Sequence, residues 1–306
     1  TAQAYWSLQN NGVMERMTKA DSADLALLQQ VFHPSDFTPA SEVAFIHALK
    51  AALVAKAELT ILHVSPKHEL EWMEFPGVRS TLERWGLLPM NSSQRDVLKL
   101  GINIKKVQAK HDDPVESVTS YLSTHNTDLI VLATDQHKSK VQWLSQSIAG
   151  PIARKSRQMT LFIPKGVEGF VSAGDGSISL SSILIPVAAT PAAQPAVQAA
   201  ARMVTRLECA TGVFTLVHVG EQADMPQVQL PDVPGWRWNT TVRPGDVVDV
   251  ISETASTVSA GLIVLTTEGR NGFLDALRGS YSERILQKAP CPLLAIPASS
   301  FIASVV

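Results

Sequence analysis

Short, unbroken runs of aliphatic residues recur along this chain, and longer stretches with helical spacing separate them. Such runs are typical of strands buried on both faces, as in a parallel sheet, because a half-exposed strand would alternate apolar and polar residues. Strands that alternate with helices predict right-handed βαβ units. The runs lie at 30–34, 59–64, 128–134, 161–164, 183–187, 214–219, 261–267 and 294–297.

The intervals between the runs carry apolar residues near every third or fourth position. This spacing predicts a helix over 41–56, with Pro39 and Ser41 near its start. A counterpart is predicted over 192–207, and 114–125 and 247–260 form a second pair. The first unit also has helical patterns at 70–86 and 91–100.

The order of the elements repeats, so the chain contains two copies of one unit. Thr-Ile-Leu-His-Val at 60–64 corresponds to Thr-Leu-Val-His-Val at 215–219. The second copy is shorter, since the proline-rich stretch 225–235 cannot form a helix. We therefore predict an N-terminal extension, a first domain, a linker rich in Gly and Ser, and a second domain, at 1–26, 27–165, 166–180 and 181–300.

Composition narrows the class of protein. The 306 residues are 45% hydrophobic, enough for two cores, and the net charge of −2 argues against a general binder of nucleic acid or anionic membranes. Cys209 and Cys291 lack the spacing of a disulfide framework or zinc site. No apolar run is long enough to span a membrane, and the first residues do not read as a signal peptide. We expect a cytoplasmic protein without metal or membrane partners.

One segment of the second domain has the pattern of a phosphate-binding loop. Gly269 is followed after nine residues by Gly279-Ser280, between a strand ending near 265 and a helix over about 280–288. Glycine admits positive φ and lets backbone N–H groups approach phosphate. Ser280 and Ser282 offer hydroxyls, and the first turn of a helix adds free N–H groups. Arg270 could steer phosphate or be solvated.

This segment resembles the nucleotide loop of the universal stress protein family, which reads Gly-x2-Gly-x9-Gly-Ser/Thr. Ser-Glu-Arg-Ile-Leu at 282–286 and Ala-Pro-Cys-Pro-Leu-Leu at 289–294 are also typical of that family. The resemblance covers about 29–297. It implies two flavodoxin-like (adenine nucleotide α-hydrolase-like) α/β domains, each a five-stranded parallel sheet between helices. The last strands, 161–164 and 293–297, would pair to form an intramolecular pseudo-dimer, and a homodimer of chains is a further expectation.

Each domain departs from the family pattern. In the second, the first loop Gly falls at Thr266, and the Asp that contacts the adenosine end falls at Ala188, beside Val187. In the first, Asp36 fits that Asp or caps the first helix. Both recognisable loop glycines of the first domain, at 136 and 146, are Gln, so we expect no usual nucleotide binding there. The candidate contacts are Thr266, Gly269, Arg270, Gly279, Ser280, Ser282, Val187 and Asp36.

The leading hypothesis is a stress-response sensor that binds ATP or a related adenine nucleotide, with Mg²⁺, in the second domain. The alternatives are a nucleotide-free scaffold that acts through protein contacts, and a weak ATPase for which Glu268 is the adjacent carboxylate. No known catalytic motif is present, so turnover should be slow at most. We expect structural roles for His63 and His218, and Trp236 and Trp238 to cover exposed core. An apolar ligand beneath a lid at 226–234 is also considered.

Overall fold

The computed structural model describes residues 28–64, 75–109, 114–134, 158–267 and 281–298. In the first half these form β1 (Gln30–Pro34), α1 (Pro39–Ala55), β2 (Glu58–Val64), α2 (Val78–Arg84), α3 (Gln94–Lys99), β3 (Asn103–Ala109), α4 (Pro114–Thr124), β4 (Leu129–Thr134) and β5 (Met159–Pro164). In the second half they form β6 (Ser182–Pro186), α5 (Gln194–Arg206), β7 (Gly212–Val219), β8 (Trp236–Arg243), α6 (Val247–Thr257), β9 (Leu262–Thr267), α7 (Tyr281–Lys288) and β10 (Leu293–Pro297).

The strands form one ten-stranded sheet in the order β3-β2-β1-β4-β5-β10-β9-β6-β7-β8. Strands within each half are parallel, and β5 pairs with β10 in antiparallel register, with Leu161 opposite Leu294. The predicted five-stranded parallel sheets and the pairing of the last strands are confirmed. Within each half the order is 3-2-1-4-5, whereas flavodoxin itself has 2-1-3-4-5.

The antiparallel junction has a consequence for the placement of binding sites. First-half strands run opposite to second-half strands, so their carboxyl ends lie at opposite edges of the sheet. Ligands of open α/β sheets bind at the carboxyl ends of strands. Each half therefore has its own crevice, and the two cannot share residues across the sheet.

Both faces of the sheet are covered, which explains why the strand sequences do not alternate. Val31 packs on the face that carries α1 and α5, and its neighbour Phe32 packs on the face that carries α4 and α6. Both side chains are buried. None of the helices in the described ranges has the length and apolarity that a membrane crossing needs.

Two tryptophans replace the helices that the second half lacks. Between β7 and β8 the chain forms only a short 3-10 turn (222–224) and an irregular stretch, where the first half has α2 and α3. Trp236 and Trp238 of β8 lie against Phe214, with ring centroids 4.5 Å and 4.1 Å apart. Their indole N–H groups donate to the carbonyls of Cys209 and Pro231. The prediction that these side chains cover the core is confirmed.

The stretch 166–180, expected as a linker, packs against the first half. Phe170, Val171 and Leu180 are buried. The backbone N–H groups of Phe170 and Val171 donate to Nε2 of His47 on α1, at 3.1 Å and 3.3 Å. The Nδ1 of His47 donates to the Val43 carbonyl at 2.8 Å, so the ring is neutral and Nε2 is its acceptor. Burial lowers the pKa of His47 to about 4, in agreement with that state.

Candidate functional site

In each half, the strand order places a crevice between two neighbouring strands whose next strands in the chain lie on opposite sides of the pair. In the first half this point lies between β1 and β4, and in the second between β6 and β9. Open α/β sheets bind ligands at such switch points, because the segments that follow the two strands diverge and leave a gap between them.

The first-half crevice contains a cavity of about 880 Å³. Its walls come from the carboxyl ends of four strands, the first turn of α1, α4 and the start of the stretch after β5. Most of the wall is apolar, and its polar groups come from the turn between β1 and α1, from the ends of β2 and β4 and from the stretch after β5. The lining includes Asp36, Ser41, Leu62, His63, Val118, Thr134, Lys165 and Glu168.

Asp36 organises the turn that leads into α1, but it is not the helix cap. Its Oδ1 accepts hydrogen bonds from the backbone N–H and the hydroxyl of Thr38, at 3.0 Å and 2.7 Å. The Thr38 Oγ1 in turn accepts from the N–H of Ser41 at 3.3 Å, so Thr38 is the N-cap. The alternative in which Asp36 caps the helix is therefore wrong. Asp36 is exposed, and no described residue bonds its second oxygen.

Phe37 fixes the ring of His63 in the cavity wall. Phe37 has φ +61°, a left-handed conformation that is uncommon for a bulky residue. Its ring stacks on His63 at 4.0 Å and meets Phe75 edge-on at 5.7 Å. These contacts offset the backbone strain. The Nδ1 of His63 donates to the Ser35 carbonyl at 2.7 Å.

Two buried polar atoms near this crevice lack partners among the described residues. The Thr134 side chain is 5% exposed and lines the cavity, and no described residue bonds its Oγ1. His33 is fully buried in β1, and its Nδ1 donates to the Val131 carbonyl at 2.9 Å, which leaves Nε2 without a donor in the part of the chain that the structure describes. Burial lowers the pKa of His33 to about 4, so it stays neutral. Sequence reasoning missed both residues, although a polar residue inside an aliphatic strand is a visible signal.

In the second-half crevice, two of the candidate contacts are already satisfied by protein. The Thr266 hydroxyl accepts from the N–H of Ala196 in the first turn of α5, at 3.3 Å. The N–H of Val187 donates to the Val217 carbonyl, and its carbonyl accepts from Nδ1 of His218. The Val187 N–H is therefore not free to bind the adenosine end of a nucleotide, and the Ala196 N–H is not free for an anion at the loop.

A side-chain amide pins the stretch 225–235 beside this crevice. Gln194, at the start of α5, donates from Nε2 to the Gln229 carbonyl at 2.9 Å and accepts from the Gln229 N–H at 2.7 Å. Met225 and Val228 pack against the core below. The stretch 226–234, which we considered as a lid, is thus attached to the start of α5 by a pair of hydrogen bonds.

The end of β9 and the first turn of α7 flank the loop that the sequence predicts to bind phosphate. Thr267 is 2% exposed at the end of β9, and its hydroxyl has no partner among the described residues. Ser282 lies in the first turn of α7. Gly269, Arg270, Gly279 and Ser280 lie outside the described residues. Asp36 belongs to the other crevice, so the candidate residues divide between two sites.

His63 and His218 have the same role in their halves. Each donates from Nδ1 to the carbonyl of the residue that follows the first strand of its half, Ser35 or Val187. Each ring therefore holds the end of that strand against the second strand. The structural role predicted for both is confirmed.

Comparisons with known proteins agree with this architecture. The family model described as the universal stress protein family matches residues 29–164 and 233–297. A Haemophilus influenzae protein, "Universal stress protein E homolog", is 41% identical over 61 residues, which is 20% of this chain and 20% of that relative's length.

Two solved structures share the fold over most of the chain. A universal stress protein from Archaeoglobus fulgidus is 16% identical with a TM-score of 0.53, and the match covers 88% of this chain and 98% of that one. A putative universal stress protein from Pseudomonas aeruginosa is 13% identical with a TM-score of 0.56, over 92% and 97% of the two chains. With the family model matched over more than half of its length, this chain belongs to the universal stress protein family.

Proposed function

We propose that this stress-response protein binds an adenine nucleotide, ATP with Mg²⁺, by its phosphates in the second-half crevice. The observation that carries the proposal is the buried Thr267 hydroxyl, which no described residue bonds and which lies where β9 ends before the Gly269–Ser280 loop. A buried polar group without a partner is costly, so a ligand that bonds it is favoured. Ser282 in the first turn of α7 supplies a second hydroxyl on the other side of the loop.

The adenosine end contributes little to this proposal. Ala188 offers no carboxylate, and the N–H and carbonyl of Val187 are already bonded within the protein. Binding therefore rests on the phosphates, and affinity should fall in the order ATP, ADP, AMP, adenosine. A nucleotide would act as a signal by displacing the stretch 225–235, which requires that it bind the displaced and pinned states with different affinity.

The test is calorimetric titration of the purified protein with Mg²⁺-ATP, after liquid chromatography and mass detection of any nucleotide that co-purifies. Thr267→Val should weaken ATP binding, and Gly279→Val should abolish it. Thr134→Val is the matched control, because it makes the same isosteric change at the equivalent strand end of the other half. A protein that releases no nucleotide and shows no heat with millimolar ATP contradicts the proposal.

The nucleotide-free scaffold is the second candidate, and the Thr266 contact favours it. The hydroxyl at the family's first glycine position accepts from the helix N–H of Ala196, a donor that a bound anion could otherwise use. A scaffold predicts that Gly279→Val leaves partner binding and stability unchanged. Release of inorganic phosphate from ATP, abolished by Glu268→Gln, would instead indicate slow ATPase activity.

We also propose a cytoplasmic location. Cys209 and Cys291 are both free thiols, and burial raises the pKa of Cys291 to about 12, so it stays protonated and unreactive. Both thiols should react with an alkylating agent after denaturation of protein prepared without reductant. A recovered disulfide would oppose a reducing compartment.

A further inference from the structure

We infer that two copies of this chain associate through their β8 strands, which pair antiparallel about a two-fold axis and join the two sheets into one. This goes beyond the proposed function, because it assigns the surface of the homodimer and does not concern the nucleotide. The ends of the ten-stranded sheet are β3 and β8, and among the described residues each pairs with one neighbouring strand. β8 has eight residues and pairs with β7 along its whole length, so its other side is a long free edge.

The free edge of β8 presents backbone groups that can pair with another strand. At the two ends of the strand, the carbonyls of Gly235 and Arg243 accept hydrogen bonds from the β7 side. Because backbone groups point alternately to the two sides of a strand, the odd-numbered residues between them also face β7. The N–H and carbonyl groups that face the free edge are those of Trp238, Thr240 and Val242.

The other end of the sheet carries charge at the positions where β8 has none. The strand registers make Lys105 and Lys106 of β3 equivalent to Asn239 and Thr240 of β8, since each pair lies opposite corresponding residues of the second strand of its half. Lysine on an edge strand opposes pairing with another chain. Of the two ends, β8 is therefore the one that suits pairing, and a two-fold contact through one end closes the assembly at two chains.

The side chains of β8 complement a second copy of the same strand. With the axis at Thr240, Trp238 of one copy lies opposite Val242 of the other, and Asn239 lies opposite Thr241. Aromatic side chains opposite β-branched ones, and threonines opposite each other, are favourable pairs across antiparallel strands. The residues that face the free edge would exchange about six backbone hydrogen bonds in this register.

The charges at the ends of β8 also fit this register. Arg237 is exposed, and no described residue bonds its guanidinium group. It would lie opposite Arg243 of the other copy, whose Nη2 donates to Glu253 at 2.8 Å. The Glu253 side chain is 62% exposed, so its carboxylate is open to a second guanidinium group. Arg237 therefore meets an ion pair with an accessible carboxylate and not an isolated like charge.

Sedimentation velocity of the full chain tests the association. Over about 1–100 µM the protein should form a dimer that dissociates on dilution. Thr240→Lys places two ammonium groups at the axis and should weaken the dimer at least about tenfold. Thr240→Val is the matched control, because it keeps a β-branched, uncharged side chain and should leave the dimer unchanged. Thr240 is exposed, so both variants should fold, which circular dichroism checks.

Cysteine cross-linking in a Cys209→Ser background locates the contact. Thr240→Cys should form a disulfide between chains on mild oxidation, because opposite Cα atoms of a hydrogen-bonded pair lie about 5.5 Å apart. Arg237→Cys should not, since its two copies would lie about 20 Å apart along the strands. A monomer at every concentration, a dimer that Thr240→Lys does not weaken, or equal cross-linking of the two cysteine variants would overturn the inference.

Discussion

The contact between His47 and the segment that joins the halves yields a quantitative prediction. His47→Leu keeps an apolar side chain on α1 but removes the acceptor of the Phe170 and Val171 N–H groups. Both residues are 5% exposed, so the two donors would be left buried without partners. Each unpaired donor costs about 1–3 kcal/mol. The lost edge-to-face contact with Phe170, now at 4.7 Å, adds about 0.5–1.5 kcal/mol.

We therefore expect His47→Leu to lower the free energy of unfolding by about 2.5–7.5 kcal/mol. Urea denaturation followed by tryptophan fluorescence measures this. His47→Gln supplies a side-chain oxygen and should lose less, and His125→Leu, at an exposed position, should change stability by less than about 1 kcal/mol. Equal losses in the Leu and Gln variants, or a loss below about 1 kcal/mol for Leu, would refute the acceptor role of Nε2.

Three further predictions concern stability and the stretch 225–235 of the second half. The pKa of His47 is lowered from 6.5 to about 4, so its contribution is fully present above pH 6.5 and is lost as pH falls through 4. The pKa of His33 is lowered in the same way, so the His47 share, at most about 3 kcal/mol, is measured as the difference between the fall in unfolding free energy of the unsubstituted protein and that of His47→Gln over this window. Gly169→Ala should destabilise the protein by more than about 1 kcal/mol, because Gly169 has φ +77° and a Cβ would meet the His47 ring. Gly166→Ala is the control: Gly166 has φ +84° but open space around it, so this change should cost less in the same denaturation assay. Gln194→Ala should raise hydrogen exchange of the Gln229 amide, measured by mass spectrometry, and unchanged exchange would show that the amide contact does not hold 225–235.

The strand runs and their repetition predicted most of the fold. An unbroken apolar run such as 129–134 can be recognised as a strand because both faces of a parallel strand are buried. The structure places Val131 and Leu132 on opposite faces. The ends of the helices were predicted less accurately: the helix predicted over 192–207 begins at Gln194 and ends at Arg206. End positions depend on capping contacts, which apolar periodicity does not report.

The sites were predicted less completely, because they depend on contacts between distant residues. Sequence alone identified the Gly269–Ser280 pattern, which follows from local backbone requirements, and the position of Asp36, which the resemblance to the family indicated. It could not show that the Thr266 hydroxyl bonds the N–H of Ala196, 70 positions away. Nor could it show that Thr134 and Thr267 have hydroxyls without partners, since that depends on every neighbouring side chain.

By itself, therefore, the sequence determined the class of fold, its duplication and the family, because periodicity and glycine placement are properties of neighbouring residues. The tertiary structure decided that the halves join through antiparallel β5 and β10, which sends their crevices to opposite edges. It also decided that 166–180 packs on His47, 123 positions from Phe170, and that a cavity remains in the first half. These features arise from packing and from the pairing of buried polar groups, which only the folded chain brings together.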